Sequence, residues 1–139
     1  MTEVVVARAA AVPVDEYIDL LERSTLARRR PVDDPALIEA ALDHSSLIIT
    51  GRTPHGVLVG AARAITDFHL HCYLADLAVD ASLQRQGLGL RLQKELVGHL
   101  GPRCKLKLSA APAASEYYPR IGYERNTRAW ELPPGTPLG

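Results

Sequence analysis

Residues 74–90 read LADLAVDASLQRQGLGL: an apolar run, then a glycine-rich turn, then the start of a leucine-rich segment. The run before Asp80 has the composition of a β-strand that is covered on both faces. After the turn, leucines recur at every fourth position from 88 to 100, which predicts one apolar face of a helix. The sequence thus predicts a strand, a tight turn and a helix that follow one another directly.

The turn over residues 84–89 has the features of an anion site. At the junction of a strand and a helix, several backbone N–H groups are free and lie at the positive end of the helix dipole. Gly87 and Gly89 let the backbone bend tightly and let an anion approach without a Cβ in the way. Arg85 adds positive charge at the rim. The turn therefore indicates a phosphate site, although a plain turn with glycines for geometry is also compatible with it.

Two other phosphate motifs fit this turn poorly. A P-loop needs Lys and then Ser or Thr after its last glycine, whereas Leu90 and Arg91 follow Gly89 here. The dinucleotide fingerprint GxGxxG is absent, and the strands before the turn are predicted to be antiparallel rather than part of a βαβ unit. These comparisons disfavour both nucleotide-binding classes.

The flanking sequence predicts the remaining elements of a mixed α/β fold. Asp33-Asp34-Pro35 provides an acidic cap and a first-turn proline for the second helix. In chain order we predict a strand around Val4–Val6, helices at Asp15–Arg23 and Ala36–Asp43, antiparallel strands at Ser46–Thr50, Val57–Ile65 and His71–Asp80, then, after the turn and its helix, a strand at Lys105–Leu108, a short helix at Ala113–Tyr118 and a closing strand at Thr127–Leu132.

Length and composition predict one domain over residues 1–139, with a loose tail at 133–139. Sixteen basic and sixteen acidic residues balance, so nucleic acid is not an expected partner. The apolar N-terminus carries charges and a proline, and it fits neither a membrane span nor an export signal. We therefore expect a cytoplasmic protein that does not bind membranes. Cys72 and Cys104 have no CxxC spacing and are interpreted as reduced core thiols, and no metal site is predicted.

Two motifs resemble those of the GNAT superfamily of N-acetyltransferases. Residues 84–89 are similar to the family pattern Gln/Arg-x-x-Gly-x-Gly/Ala, and residues 117–124, YYPRIGYE, are similar to its aromatic-Tyr-x-x-hydrophobic-Gly-aromatic-Glu segment. Residues 62–67 and 76–80 are also similar to small bacterial members and to plastid and cyanobacterial serotonin N-acetyltransferases. The resemblance implies a mixed, mainly antiparallel central sheet with helices on both faces.

The resemblance also implies acetyl-CoA as cosubstrate, without a metal, and an acceptor that is a small-molecule amine or a peptide amine. The pyrophosphate would lie on the turn and the pantetheine arm along the preceding strand. The cofactor-binding residues implied are Leu77, Ala78, Val79, Gln84, Arg85, Gln86, Gly87, Leu88, Gly89 and Leu90. A homodimer is one assembly expected from relatives that pair through edge strands or C-terminal segments.

Acetyl transfer needs a neutral amine, a polarised carbonyl and a proton for the departing thiolate. Tyr118 matches the position at which many family members place a tyrosine that protonates the thiolate, and the alternative is that it only packs its ring. Asp76, a carboxylate in an apolar strand, is the candidate general base. The alternative is a structural Asp76 that is ion-paired with Arg63 on the neighbouring strand.

Several polar residues are weaker candidates. His69 and His71 could face the acceptor as proton carriers, or less plausibly bind a metal, but a third ligand is not evident. Asp67 could bind a cationic amine, and Arg28–Arg30 is expected to be a solvated basic segment. The sequence leaves two further functions open: a catalytically weak acyl-CoA-binding or regulatory module, and a protein or peptide N-acetyltransferase.

Overall fold

The computed structural model describes residues 3–139 of the chain. The strands are β1 (Val5–Ala9), β2 (Leu47–Arg52), β3 (Leu58–Thr66), β4 (His71–Val79) and β5 (Lys105–Lys107), and the helices are α1 (Val14–Arg23), α2 (Pro35–Asp43), α3 (Leu88–Gly98) and α4 (Tyr117–Arg120). Short 3-10 turns lie at Leu26–Arg29, Ala81–Leu83 and Pro112–Ala114.

The five strands form one sheet in chain order, β1-β2-β3-β4-β5. Adjacent strands from β1 to β4 are antiparallel, and the hairpin predicted between β2 and β3 is present. Only β4 and β5 are parallel, and they pair over just three positions, from His71 opposite Lys105 to Tyr73 opposite Lys107. The mixed, mainly antiparallel sheet expected from the sequence is confirmed.

Helices cover both faces of this sheet, also as expected. On one face, Leu88, Leu92 and Leu96 of α3 are buried in a cluster with Ile49 and Leu74. The four-residue leucine spacing therefore identified the buried face of α3 correctly. On the other face, α1 and α2 form a second cluster, in which Tyr17, Leu20, Leu21, Ile38 and Leu42 pack against Ile48, Leu58, Ala61 and Ala78.

The close seating of α3 depends on a glycine of the sheet. A Cβ on Gly60 would lie 3.0 Å from Cδ1 of Leu92 and 3.2 Å from Cδ2 of Leu88, which is closer than side chains normally pack. Gly60 on β3 thus lets the apolar face of α3 approach the sheet closely. Because Leu88 is also the first residue of α3, this contact fixes where the turn before the helix ends.

The local signals at α2 behave as predicted. Asp34 is the N-cap, and its Oδ1 accepts a hydrogen bond of 3.2 Å from the backbone N–H of Leu37. Pro35 occupies the first turn, where its missing N–H group would have no partner in any case.

The contacts of the chain cluster into two compact units, residues 1–109 and residues 110–139. The prediction of one domain over 1–139, with a loose tail at 133–139, stays a prediction. In the second unit, the predicted helix at 113–118 is replaced by the 3-10 turn at Pro112–Ala114 and by α4.

The closing strand predicted at 127–132 is wrong. Among the described residues of the second unit, no segment belongs to the sheet, and Trp130 is 97% exposed. A strand is defined by a partner that takes its backbone hydrogen bonds, and residues 127–132 have no such partner here. Composition alone gave a strand because Thr, Trp and Leu are common in sheets.

Candidate active site

A bulge in β4 decides which side chains of this strand face which helix. Arg63 pairs with Asp76 and Ala64 pairs with Leu74, so Ala75 has no opposite residue on β3. Before the bulge, Cys72 and Leu74 face α3; after it, Ala78 faces α1 instead. The one-residue shift therefore turns the side chain of Asp76 toward α1 and α2.

The Asp76 carboxylate lies in a buried ion-pair cluster. Its Oδ1 accepts a hydrogen bond of 2.6 Å from Nε of Arg30, and its Oδ2 accepts 2.7 Å bonds from Nε of Arg63 and from the hydroxyl of Tyr17. The Asp76 side chain is 2% exposed, that of Arg63 13% and that of Arg30 26%. The ion pair between Asp76 and Arg63, one of the two alternatives for this residue, is present.

The surroundings determine the charge states in this cluster. Burial raises the pKa of Asp76, but hydrogen bonds and charges of Arg63, Tyr17 and Arg30 outweigh it, and the net pKa is lowered. Burial raises the pKa of Tyr17 well above its usual value, and the charge of Asp76 adds to this. At neutral pH the cluster therefore holds two guanidinium cations, one carboxylate and one neutral phenol.

Arg30 connects the cluster to the backbone of the bulge. Its Nη2 donates a hydrogen bond of 2.8 Å to the carbonyl of Ala75, and its Nη1 donates one to the carbonyl of Arg29. Arg28 and Arg29 are exposed as expected, but Arg30 is only partly exposed and is not a simply solvated residue. It lies in the connection between α1 and α2, where an arginine triplet alone gave no sign of a buried partner.

The edge of β4 is open beyond its short pairing with β5. The N–H of Asp80 donates to the carbonyl of Val59 on β3, so the backbone groups of Asp80 point toward β3. Because successive residues of a strand alternate, the backbone groups of Leu77 and Val79 point the other way, toward the open edge. The carbonyl of Val79 accepts a bond of 3.2 Å from the side-chain amide of Gln84. Among the described residues, the N–H and C=O of Leu77 have no partner on this edge.

The turn after β4 presents a row of free amides. In the part of the chain that the structure describes, the backbone N–H groups of residues 85–90 have no protein acceptor, and the first amide bonded across the start of α3 is that of Arg91. Residues 84–87 are exposed, and Leu88 is buried against the sheet. Six amides near the N-terminus of an eleven-residue helix form the kind of anion site that the sequence predicts.

The two glycines of the turn have different roles. Gly87 is the N-cap of α3 and has φ +84°, a conformation that residues with a Cβ rarely adopt. Gly89 lies inside the first turn of α3 with no positive φ, so its backbone conformation does not require a glycine. Arg85 also has a positive φ, +66°, which is uncommon for an arginine.

An ion pair holds the start of the turn against α1. Arg23 donates from Nη1 to Oδ2 of Asp80 at 2.6 Å and from Nη2 to the carbonyl of Leu58 at 2.7 Å. Oδ1 of Asp80 accepts hydrogen bonds from the N–H and the hydroxyl of Ser82. Nothing in the sequence marks Arg23 as a site residue, because a basic residue in the last turn of a helix is ordinary.

In the second unit, Tyr118 lies in a motif that ends helix α4. The N–H of Tyr123 donates to the carbonyl of Tyr118 and the N–H of Gly122 to that of Pro119, a Schellman pattern with Gly122 at φ +113°. The ring of Tyr118 packs edge-on against those of Tyr117 and Tyr123, with centroids 5.0 and 5.3 Å apart. The motif at residues 117–124 is therefore a structural unit that fixes Tyr118.

Burial raises the pKa of Tyr118, and the neighbouring Tyr117 raises it further. The phenol is consequently protonated at neutral pH, as a proton donor must be.

The weaker candidates in the β3–β4 loop have structural roles or are exposed. Oδ1 of Asp67 accepts backbone hydrogen bonds from His69, Leu70 and His71, which lower its pKa to about 2. His69 and His71 are exposed. Among residues 3–139 no group of three or more His, Cys, Asp or Glu side chains could hold a metal ion. Within the same residues, no helix is both long enough and apolar enough to cross a bilayer.

Comparison with known protein families identifies one family that matches most of the chain. The sequence model of the acetyltransferase (GNAT) domain family matches residues 34–131. No curated protein matches the sequence significantly. The narrower similarity to serotonin N-acetyltransferases stays a prediction.

Solved structures agree in fold. A GNAT-family acetyltransferase from Streptococcus pneumoniae TIGR4 is 21% identical, with a TM-score of 0.71 over 94% of this chain and 98% of that one. A protein from Deinococcus radiodurans R1 is 22% identical, with a TM-score of 0.73 over 95% and 93% of the two chains. A ribosomal-protein-alanine N-acetyltransferase from Brucella melitensis biovar Abortus 2308 is 17% identical, with a TM-score of 0.70 over 94% and 99%.

Proposed function

Because the chain belongs to the GNAT acetyltransferase family, we propose that it is an acetyl-CoA-dependent N-acetyltransferase. The acetyl group is transferred to a primary amine by direct attack in a ternary complex. The observation that carries this proposal is the row of six backbone amides over residues 85–90, at the N-terminus of α3, which have no acceptor among the described residues. A diphosphate is the ligand that such a row fits best.

The proposed donor site has two parts. The turn that holds the pyrophosphate consists of Gln84, Arg85, Gln86, Gly87, Leu88, Gly89 and Leu90, and it acts through the backbone amides of residues 85–90 and the charge of Arg85. The edge of β4 at Leu77, Ala78 and Val79 holds the pantetheine arm, which carries amides of its own. The free N–H and C=O of Leu77 can bond such an arm as a neighbouring strand would. An N–H of this edge also polarises the thioester carbonyl.

The reaction needs no covalent enzyme intermediate. The lone pair of the neutral amine attacks the thioester carbon, a C–N bond forms, and the C–S bond breaks with departure of the coenzyme thiolate. We assign Tyr118 as the general acid that gives its proton to this thiolate. Its raised pKa keeps it protonated until then, and the ring contacts with Tyr117 and Tyr123 restrict its position.

The amine must lose a proton, and Asp76 was the residue expected to take it. The ion-pair cluster favours the structural alternative, because the pKa of Asp76 is lowered and both of its oxygens already accept hydrogen bonds. A carboxylate with a lowered pKa is a weak base near neutral pH. We therefore propose that water removes the proton and that Asp76 positions Arg30 and Arg63.

Two other functions remain to be separated from this one by experiment. A binding or regulatory module would bind acetyl-CoA without turnover. A protein or peptide N-acetyltransferase is the other, and the Brucella neighbour is named a ribosomal-protein-alanine N-acetyltransferase. The proposed partners are acetyl-CoA and an amine, in a cytoplasmic protein that binds neither nucleic acid nor membranes and for which a homodimer is one possible assembly.

A thiol-release assay with acetyl-CoA across polyamines, arylalkylamines, amino acids and N-terminal peptides tests the proposal. With a productive amine, Tyr118→Phe should lower kcat about 100-fold, as expected for loss of a general acid, with little change in acetyl-CoA affinity. Tyr117→Phe removes the neighbouring hydroxyl and is the matched control. Binding of acetyl-CoA without thiol release from any amine would favour the binding module, and unchanged turnover in Tyr118→Phe would remove this residue from the mechanism.

A further inference from the structure

The ion-pair cluster beside the β4 bulge carries an uncompensated positive charge. Arg30 and Arg63 share the single carboxylate of Asp76, and the fourth member, Tyr17, is neutral. Within residues 3–139, no second carboxylate forms an ion pair with either guanidinium. In a partly buried site one excess cation is a strong attraction for an anion, because screening by water is reduced.

Both guanidinium groups also have donors left to use. Each carries five N–H donors, and the hydrogen bonds of the cluster use three on Arg30 and two on Arg63. Among the described residues, no buried side-chain nitrogen or oxygen lacks a hydrogen-bond partner. A ligand can meet these guanidinium groups from solvent, because the Arg30 side chain is 26% exposed and Nη2 of Arg63, which has no hydrogen-bond partner among the described residues, is not buried.

The cluster adjoins the proposed donor site. Arg30 bonds the carbonyl of Ala75, two residues before Leu77, whose backbone faces the open edge of β4. An acceptor that approaches a thioester held on this edge thus meets the guanidinium of Arg30. It finds no free carboxylate at Asp76, because Oδ1 and Oδ2 are both occupied. This environment suits a negative group on the acceptor and disfavours a second positive one.

We propose that the acceptor is a small amine that also carries a carboxylate, and that Arg30 binds this carboxylate. This inference rests on the proposed function and names its substrate class. Arg30 is the more exposed arginine and presents a planar fork that matches a carboxylate. Arg63, which is more buried, holds Asp76 in place from β3. Polyamines and simple arylalkylamines are then poor acceptors, although they contain the reacting group.

Matched acceptor pairs test this selectivity in the full-length protein. 4-Aminobutyrate is compared with propylamine and phenylalanine with phenethylamine, at equal concentrations of the neutral amine, with spermidine as a polycation. We expect kcat/KM to be at least about tenfold higher for the carboxylated member of at least one pair, the effect of one charge-assisted contact. Equal or higher kcat/KM for the carboxylate-free amines or spermidine would overturn the inference and leave the transferase proposal standing.

Substitution of Arg30 locates the effect. In Arg30→Gln, the preference for the carboxylated acceptor should fall about tenfold, mainly through a higher KM, and Arg30→Lys should restore part of it. Arg29→Gln removes the same charge from an exposed neighbour and should keep the original preference. If Arg29→Gln lowers the preference as much as Arg30→Gln, the effect is long-range charge and the assignment of Arg30 is overturned.

A binding measurement keeps the inference testable if no amine releases thiol. Calorimetry with coenzyme A present compares 4-aminobutyrate with propylamine. Heat from the carboxylated ligand alone, lost in Arg30→Gln, supports the acceptor site although the transferase proposal has failed. The same binding for both ligands, or for neither, overturns it. Thermal melts of each variant show whether a loss reflects unfolding.

Discussion

Replacement of Gly87 by alanine tests the amide row directly. Gly87 has φ +84°, and a Cβ added there would meet nothing within 4 Å, so the substitution changes backbone preference without a clash. An L-residue in the left-handed region costs about 1–2 kcal/mol. We expect the backbone of the variant to relax in order to lower this cost. Relaxation would rotate the peptides on either side and misalign the amides of the turn.

The expected result is a modest loss of stability with a larger loss of cofactor binding. A cost of about 1 kcal/mol corresponds to a fall in Tm of about 3–6 °C for a domain of this size. Because hydrogen bonds to charged groups contribute about 1.5–3 kcal/mol each, misalignment of one amide should raise the Kd for coenzyme A about tenfold or more. Calorimetric titration and thermal melts measure the two effects separately.

Gly56 is a matched control in the same chain. It lies in the β2–β3 hairpin loop with φ +87°, and a Cβ there also meets nothing within 4 Å. Gly56→Ala should therefore lower Tm as much as Gly87→Ala does, and leave the Kd for coenzyme A unchanged. If the two variants bind coenzyme A equally well, the amides of residues 85–90 do not hold the diphosphate, and the donor-site assignment fails.

Two further predictions concern ion pairs. Because the pKa of folded Asp76 is lowered, its stabilising effect is present above the unfolded value of about 3.9 and is lost as the pH falls through the lower folded value. Urea unfolding of Asp76→Asn should therefore give a free energy of unfolding about 3 kcal/mol lower than that of the unsubstituted chain at pH 7. Below pH 4, this free energy should fall less steeply with pH in the variant than in the unsubstituted chain. Curves of free energy against pH that run parallel would contradict this. Arg23→Met frees Asp80 at the start of the turn and should weaken coenzyme A binding about fivefold, about 1 kcal/mol. Asp19→Asn removes only the exposed partner of Arg23 and should leave this binding unchanged. Equal effects of the two substitutions would show that Arg23 acts through α1 alone.

Elements that depend on local pattern were predictable from the sequence. The leucine spacing gave the buried face of α3, and Asp34-Pro35 gave the start of α2, because both signals act within one or two helical turns. The glycine-rich turn was equally readable, since Gly87 adopts the positive φ for which a glycine is needed. At 127–132 the local pattern misled, because whether a strand forms depends on a partner strand elsewhere in the chain.

The composition of the Asp76 cluster could not be predicted, because a bulge determines it. Strict alternation would put Asp76 on the same face as Cys72 and Leu74, against α3. The unpaired Ala75 reverses the alternation and brings Asp76 to Tyr17 and Arg30. No residue type marks Ala75 as a bulge, and Arg30 is 46 residues from Asp76 in sequence. Of the contacts of Asp76, only the ion pair with Arg63 was predictable, because the sequence places these two residues on neighbouring antiparallel strands.

The charge of the Asp76 cluster at this bulge affects the chemistry that we propose at the open edge of β4. If Asp76 accepted the proton of the amine, two guanidinium groups would be left against a neutral acid, and the energy that now lowers its pKa would oppose the transfer. In the proposed mechanism, Asp76 stays ionised and Arg30 keeps its hydrogen bond to the carbonyl of Ala75. In the proposed reaction the amine proton therefore passes to water, and no member of the cluster takes it.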